Sequence, residues 1–442
     1  MSRPTGFADL AGRRVGVFGY GLEGRAAVAR LRNVAQTLVI VDDQALGGDV
    51  LQSDQGGLDA LATCDVVLKS PGIPRRRGDV VELERRGVVV TSALNLWLGD
   101  TERARVVAVT GTKGKSTTTT VIEFLFHSLG QRALRLGNIG AAPYDPDVDT
   151  STGWLVLEVS SFQSVDLSLA PAYVVVTSLG EDHLDWHGSV EQYHEDKLAL
   201  TRASGEHVTI LADTPALRGA ARGIGGDVLW VHENDYELAE RLGLVGSHNE
   251  MNVALGVRAV ALASARSSDE VRAAGLAHAT NFVALPGRLT LVREVETASG
   301  TFRFIDDGLA TSPLPTLAAL EAFRDAPLAL IAGGFDRGVD YRELAHALNT
   351  RGPETHVVVS GPAGSRLAGL LEGARQARVV DDLAQAVGAA AELLAQGGVV
   401  LLSPAAPSFD RYRNWEERSR DFAHAVDEVI EKWSLCEIPP EP

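Results

Sequence analysis

Three consecutive α/β domains, each built on a parallel sheet, are predicted by three observations. The chain alternates short apolar runs rich in β-branched residues with stretches of helical character. Each run is stopped by Gly, Pro, Asp or Ser, as strands are. The length, 442 residues, suits about three domains at roughly 150 residues each. Strands that alternate with helices pair in parallel through right-handed crossovers.

The first series has runs at residues 15–19, 38–41, 65–69 and 88–91, with a helical stretch at 25–32. It closes near Leu96, which gives a domain over 1–96. The second begins at Arg105, with runs at 106–110, 154–159, 173–178 and 208–211. It ends near Pro286, after a helix that starts around Asn249, and gives a domain over 97–286. The third has runs at 302–305, 328–331, 356–360, 378–380 and 399–402, and a closing helix over about 414–433; its domain is 287–442. No internal repeat or low-complexity tract interrupts them.

Composition narrows the function classes. Hydrophobic residues make up 45% of the chain, enough for several buried cores. The net charge is -17, from 41 basic and 58 acidic residues. Such a chain lacks the basic field of a general nucleic-acid binder, so any phosphate must be held by local devices. Cys64 and Cys436 are too few and too far apart for a disulfide framework or a zinc site, and read as free thiols. The first ten residues lack an apolar segment, and no run of 18 apolar residues occurs. A cytoplasmic protein with no signal peptide and no membrane span is expected.

The strongest motif follows the run 106–110. Gly111-Thr112-Lys113-Gly114-Lys115-Ser116-Thr117 joins that strand to a helix reaching Phe126. Glycines let the backbone approach phosphates, and backbone N–H groups at a helix start favour anions. Lys115 is placed for the β- and γ-phosphates, and Ser116 for Mg2+. The spacing departs from strict GxxxxGK[ST], because Val109 stands five before Gly114. A second loop, Gly19-Tyr20-Gly21-Leu22-Glu23-Gly24, follows the first strand, with Asp42 and Asp43 near the end of the next. That pattern also fits a dehydrogenase, but hydride transfer has no use for a γ-phosphate clamp. The loop therefore reads as a site for a second nucleotide-like ligand.

Glu158 ends another strand, where a carboxylate suits a hard Mg2+ ion. Asp182, His183 and Asp185 crowd one strand end and read as a metal shell; His187 reads as a helix-start or surface residue. Taken alone, Lys197 reads as a solvated surface lysine.

Taken together, TGTKGKSTT, LGNIG, LEVSSFQ, EDHLDWHG, DKLAL, GSHNEMN, PGR, DDGLATSP, GGFDRGVDY and SPAAPSFDRYRNWEERSRDF occur in that order over essentially the whole chain. This resembles the Mur ligases, in the branch that adds glutamate. The resemblance implies a Rossmann-like domain for a UDP-linked substrate, a P-loop-like ATPase domain and a second Rossmann-like domain for the amino acid. Leu22, Glu23, Asp42, Ser70, Gly72 and Asn138 would face UDP-N-acetylmuramoyl-L-alanine. Gly111 to Thr117, Asn249, Asn252, Arg288 and Asp307 would bind ATP. Ser116, Glu158, His183 and a carbamylated Lys197 would hold two Mg2+ ions, which overturns the surface reading of that lysine. Thr311, Arg337, Ser408 and Trp415 would hold glutamate. Lys115, His183 and Lys197 would carry the chemistry. The alanyl carboxylate would take the γ-phosphate, and the amine of glutamate would displace it. A monomer is implied.

The match departs from the D-glutamate enzyme at Lys113, Leu309, Ser312 and Trp415, and at Glu23 and Arg25 in the first loop. These departures favour the branch that adds L-glutamate and leaves epimerisation to a partner. The D-glutamate ligase and a folate-polyglutamate synthase-like ligase are the alternatives, the latter disfavoured by the N-terminal glycine loop. A nucleotide sensor without activity is a more distant one.

Overall fold

A computed structural model of the chain describes residues 3–436 other than 45, 46, 139, 353, 374 and 375; the side chain of Cys436 lies outside the description. Among the described residues the strands fall into three sheets. The chain packs as two units, Met1–Leu238 with His248–Phe282, and Ala239–Ser247 with Val283–Pro442. The first unit holds two sheets and the second holds one.

Sheet one is parallel, in the order β3-β2-β1-β4-β5: β1 (Arg14–Phe18), β2 (Thr37–Asp42), β3 (Val50–Gln52), β4 (Val66–Lys69) and β5 (Val89–Thr91). The order reverses between β1 and β4, and a crevice opens at such a switch point. Sheet two is parallel, in the order β11-β10-β9-β6-β8-β7: β6 (Val106–Thr110), β7 (Ala133–Gly137), β8 (Trp154–Glu158), β9 (Tyr173–Val176), β10 (Val208–Ala212) and β11 (Asp227–Val231). Strand β6 lies between β8 and β9, and all five of its residues are buried. A strand covered on both faces needs a continuous apolar run, and VVAVT supplies it. Each fully buried Val there contributes about 1.5–3 kcal/mol.

Sheet three differs from expectation. Its order is β12-β13-β17-β14-β15-β16: β12 (Thr290–Thr297), β13 (Gly300–Asp306), β14 (Leu328–Gly333), β15 (Thr355–Ser360), β16 (Arg378–Val379) and β17 (Gly398–Leu402). Strands β12 and β13 pair antiparallel and the rest pair in parallel, so this sheet is mixed. Antiparallel strands can be joined by two residues, here Ala298 and Ser299, without a crossover helix. Helices Pro313–Ala322, Arg342–Thr350 and Gly361–Ala368 pack one face of the sheet. Leu383–Leu393 and Trp415–Cys436 pack the other. Among the described residues, no helix is long and apolar enough to cross a membrane.

Candidate active site

Strand β6 delivers the glycine loop to the middle of sheet two. Gly111 has φ 140° and Gly114 φ 86°, values that L side chains rarely adopt. A Cβ on Gly111 would lie 2.1 Å from Thr177 Oγ1, and one on Gly114 2.4 Å from Asn252 Oδ1. Gly114 caps helix Lys115–Ser128, whose first turn carries the buried Ser116 and Thr117. The backbone N–H of Thr112 donates to Ser178 O at 2.9 Å, and that of Lys113 to Ser178 Oγ at 2.9 Å. The loop is thus pinned to the segment after β9. Asn249 and Asn252, both buried in the first turns of helix Ser247–Ala263, bond to each other at 3.1 Å.

Two lysines meet over this loop. Lys115 Nζ donates to Gly111 O at 2.9 Å and to Thr112 O at 3.2 Å. Lys197 Nζ donates to the same Gly111 O at 2.9 Å and lies 4.9 Å from the Tyr193 ring centroid. Lys197 is 2% exposed, so the lone-residue reading of a surface lysine is corrected. Helix Val190–Lys197 turns this end inward through the buried Tyr193, Asp196 and Lys197. Burial, reinforced by the Lys115 charge, holds the Lys197 amine well below the ordinary lysine range. Tyr193, which sequence reasoning missed, donates its OH to Thr112 Oγ1 at 2.9 Å.

Glu158, at the end of β8, is 1% exposed. Its Oε1 accepts from Asn138 Nδ2 at 2.7 Å, so Asn138 is turned to this carboxylate. Its Oε2 is buried and accepts no hydrogen bond among the described residues. A buried carboxylate oxygen without a donor is what a hard cation would satisfy. His183 adopts a left-handed conformation, φ 50°, with its ring 4.9 Å from Phe162. Its N–H donates to Asp182 Oδ1 at 3.1 Å, while Asp182 Oδ2 pairs with Lys113 Nζ at 3.1 Å. The expected shell of Asp182, His183 and Asp185 is corrected to that extent: the Lys113 ammonium draws Asp182. The Asp185 side chain lies outside the described residues. Among the described residues, no three His, Cys, Asp or Glu side chains gather to hold a metal ion.

His187 also departs from expectation. Its side chain is fully buried at the end of the short helix Leu184–His187. Nδ1 meets Asp196 Oδ2 at 2.7 Å and Nε2 meets Ser161 Oγ at 3.0 Å. Burial keeps the imidazole below its ordinary pKa.

In sheet one, Leu22 is exposed at the start of helix Leu22–Leu31. Glu23 accepts from Tyr144 OH and Gln163 Nε2, each at 2.8 Å, and burial raises its carboxyl pKa. Asp42 accepts from the N–H of Tyr20 at 2.6 Å and of Gln44 at 2.9 Å, bracing the glycine loop after β1. Ser70 Oγ donates to Gly19 O at 2.7 Å, and Gly72 O accepts from Trp186 Nε1 at 3.2 Å. A buried ion pair that the sequence did not signal, Lys69–Asp166 at 2.8 Å, lies beside them.

The third sheet places Asp307, Thr311, Arg337 and Ser408 in loops that follow β13, β14 and β17, Arg288 just before β12, and Trp415 at the start of helix Trp415–Cys436. Asp307 Oδ2 accepts from Ser403 Oγ at 2.7 Å. Burial pushes its carboxyl up to about 7, with the nearby Arg288 charge and Ser403 opposing. Asp306, also buried and raised, accepts from Gly308 N–H at 2.8 Å. The Thr311 N–H donates to Leu309 O at 2.9 Å. The Arg337 guanidinium lies 5.8 Å from the Phe409 ring centroid. Ser408 is buried, and Trp415 packs so close to Gly287 that a Cβ there would lie 2.9 Å from its ring. Arg418, missed in the sequence, is buried and bonds Ala406 O at 3.1 Å and Gly308 O at 2.8 Å.

Comparison with known proteins bears on the same regions. Residues 109–284 match the Mur ligase middle domain, and 287–406 match the Mur ligase, glutamate ligase domain. A UDP-N-acetylmuramoyl-L-alanine--L-glutamate ligase of Micromonospora sp. is 40% identical over 461 residues, covering 95% of this chain and 97% of that one. The enzyme of the same name from Xanthomonas euvesicatoria pv. vesicatoria is 33% identical, with 94% and 95% covered. MurF ligase from Thermotoga maritima, solved in complex with ADP, superposes with a TM-score of 0.56 at 16% identity, over 97% of this chain and 98% of that one. UDP-N-acetylmuramate-alanine ligase MurC from the same organism gives 0.55 at 17% identity, over 94% and 99%. At those identities the two structures speak for the fold.

Proposed function

The chain belongs to the Mur ligase family of ATP-dependent, amide-bond-forming ligases, and from that premise we propose that it joins L-glutamate to UDP-N-acetylmuramoyl-L-alanine through an acyl phosphate. Residues 1–96 would hold the UDP-linked substrate, 97–286 ATP, and 287–442 glutamate. The supporting observation is the crowd at Gly111. Lys115 and Lys197 share one carbonyl oxygen, and two ammonium groups that close repel strongly in a buried setting. Lys197 is therefore favoured as a neutral amine. Its Nζ lone pair can add to CO2 with loss of a proton, giving a carbamate anion beside the Lys115 cation. The carbamate oxygens, Glu158 Oε2, His183 and Ser116 would supply donors of the kind Mg2+ takes. Two Mg2+ ions held there would neutralise charge on the transferring phosphoryl group.

The protein's own residues do the rest. Gly114 and the first turn of helix Lys115–Ser128 would present backbone N–H groups, and Lys115 its ammonium, to the phosphates, and Asn249 and Asn252 would offer amides to the adenine edge. Thr311, Arg337, Ser408 and Trp415 would orient glutamate, the guanidinium pairing with a carboxylate. The glutamate amine then attacks the acyl phosphate carbon, and phosphate leaves. The L enantiomer is supported by the names of the relatives and by Leu309 standing in place of a lysine. A product carrying L-glutamate calls for later epimerisation by another enzyme.

Phosphate release measured with ATP, Mg2+, UDP-N-acetylmuramoyl-L-alanine and each glutamate enantiomer separately tests this reading. Release with L-glutamate alone is expected. Release with D-glutamate alone overturns the enantiomer, and release with neither overturns the reaction.

A further inference from the structure

We infer that His187 is a positioning residue, the centre of a buried chain Arg76–Asp196–His187–Ser161 that keeps the segments bearing Glu158, His183 and Lys197 in register. The role rests on the proposed reading of those three as metal ligands; the chain itself rests on geometry. Arg76 grips Asp196 with two parallel bonds, at 2.9 and 2.7 Å. Asp196 Oδ2 meets His187 Nδ1 at 2.7 Å, and His187 Nε2 meets Ser161 Oγ at 3.0 Å. Gln192 Nε2 adds a bond to Asp196 Oδ1 at 3.0 Å.

Each link sits next to a proposed ligand. Ser161 is three residues past Glu158, at the start of helix Ser161–Ser164. His187 closes the one-turn helix that begins after His183, and its N–H donates to His183 O at 3.1 Å. Asp196 precedes Lys197 in helix Val190–Lys197. Arg76 extends the chain to the loop after β4, where Gly72 also accepts from Trp186.

The partners fix the ring's tautomer. An Asp196 carboxylate only accepts, so Nδ1 carries the proton. The neutral ring then offers the Nε2 lone pair, and the Ser161 hydroxyl must donate to it. Aromatic rings flank the imidazole. Phe162 stacks at 5.5 Å and 16°, and Tyr193 stands edge-on at 5.1 Å and 73°. Losing either bond strands a buried polar group, so the three segments are held in one arrangement. Simple filling of the space would need a ring there, but not both nitrogens paired.

Three variants separate these roles. His187→Phe keeps the ring and removes both bonds. Ser161→Ala removes one bond with little change in volume. Arg76→Met acts on a half-exposed side chain but takes two donors from the buried Asp196 carboxylate. Thermal unfolding, kcat and KM, and Mn2+ binding followed by electron paramagnetic resonance are measured on each. Outer partners of a metal site are typically worth 10–100-fold in metal affinity or activity. His187→Phe is expected to weaken Mn2+ binding and lower kcat by about 30-fold, with KM for ATP moving less than about threefold. Ser161→Ala should lose about tenfold and Arg76→Met about threefold, the last with a lowered Tm. Separately, 15N spectra should place the His187 proton on Nδ1, and Asp196→Asn should move it to Nε2. Unchanged Mn2+ affinity in His187→Phe and Ser161→Ala, with kcat falling only as Tm falls, overturns the role. A proton on Nε2 in the unmodified protein overturns the chain itself. Absence of both Mn2+ binding and product in the unmodified protein, with the Nδ1 proton present, overturns the ligase reading beneath the role.

Discussion

The loop after β6 and the loop after β13 each follow the carboxyl end of a strand flanked on both sides, and carry opposite charge. One gathers Lys113 and Lys115 with Lys197 behind them; the other gathers Asp306 and Asp307. Burial acts on both in the same direction, towards neutrality: the Lys197 amine is pulled down and the Asp307 carboxyl pushed up. Desolvation penalises the charged form whatever its sign.

The largest test of that contrast is Lys197→Ala. Activity should fall about 100-fold or more, because the carbamate proposed to act at the phosphoryl transfer would be lost. Short carboxylic acids in solution should restore part of it; steady-state phosphate release reads both. Next, Gly114→Ala forces a Cβ against Asn252 at a left-handed φ. Calorimetry with ADP should show binding weakened about tenfold, while an equal affinity would mean the loop has slack. On the acidic side, Asp307→Asn addresses pH. The folded pKa, near 7, lies above the ordinary value of 3.8. The contribution is therefore fully present below about pH 4 and lost as pH rises through about 7. At 1.36 kcal/mol per unit, the change is about 4 kcal/mol as an upper bound. Urea unfolding between pH 4 and 8 should show a decline that Asp307→Asn flattens. The smallest effect is at Lys113, whose pair with Asp182 is half exposed. Lys113→Asn should alter stability by about 1 kcal/mol or less. A larger drop would show that the exposed and buried lysines of this loop are not separable.

The legibility of the fold largely followed burial, although the exposed edge strand β16 was read as well. The runs behind β6, β8, β9, β14 and β17 read clearly because both faces are covered. The strands that went unread, β3, β7, β11 and β12, are all sheet edges. β12 reads TLVREVET, half exposed along its length, and its antiparallel pairing left no crossover to announce it. In the site, the glycine loop was legible because backbone chemistry dictates its residues. His187, Arg418 and, taken alone, Lys197 were not, because a buried charge and a surface charge are spelled alike; the family resemblance is what marked Lys197. Only three-dimensional partners, such as Asp196 for His187, separate the two.

The carbonyl of Gly111 has a consequence for the life of the molecule. If Lys197 takes up CO2 as proposed, competence would depend on a dissolved gas. A freshly folded chain would be inert until it had breathed in one carbon. In degassed, bicarbonate-free buffer the population should drift to a silent form and revive when bicarbonate returns, with no change in fold.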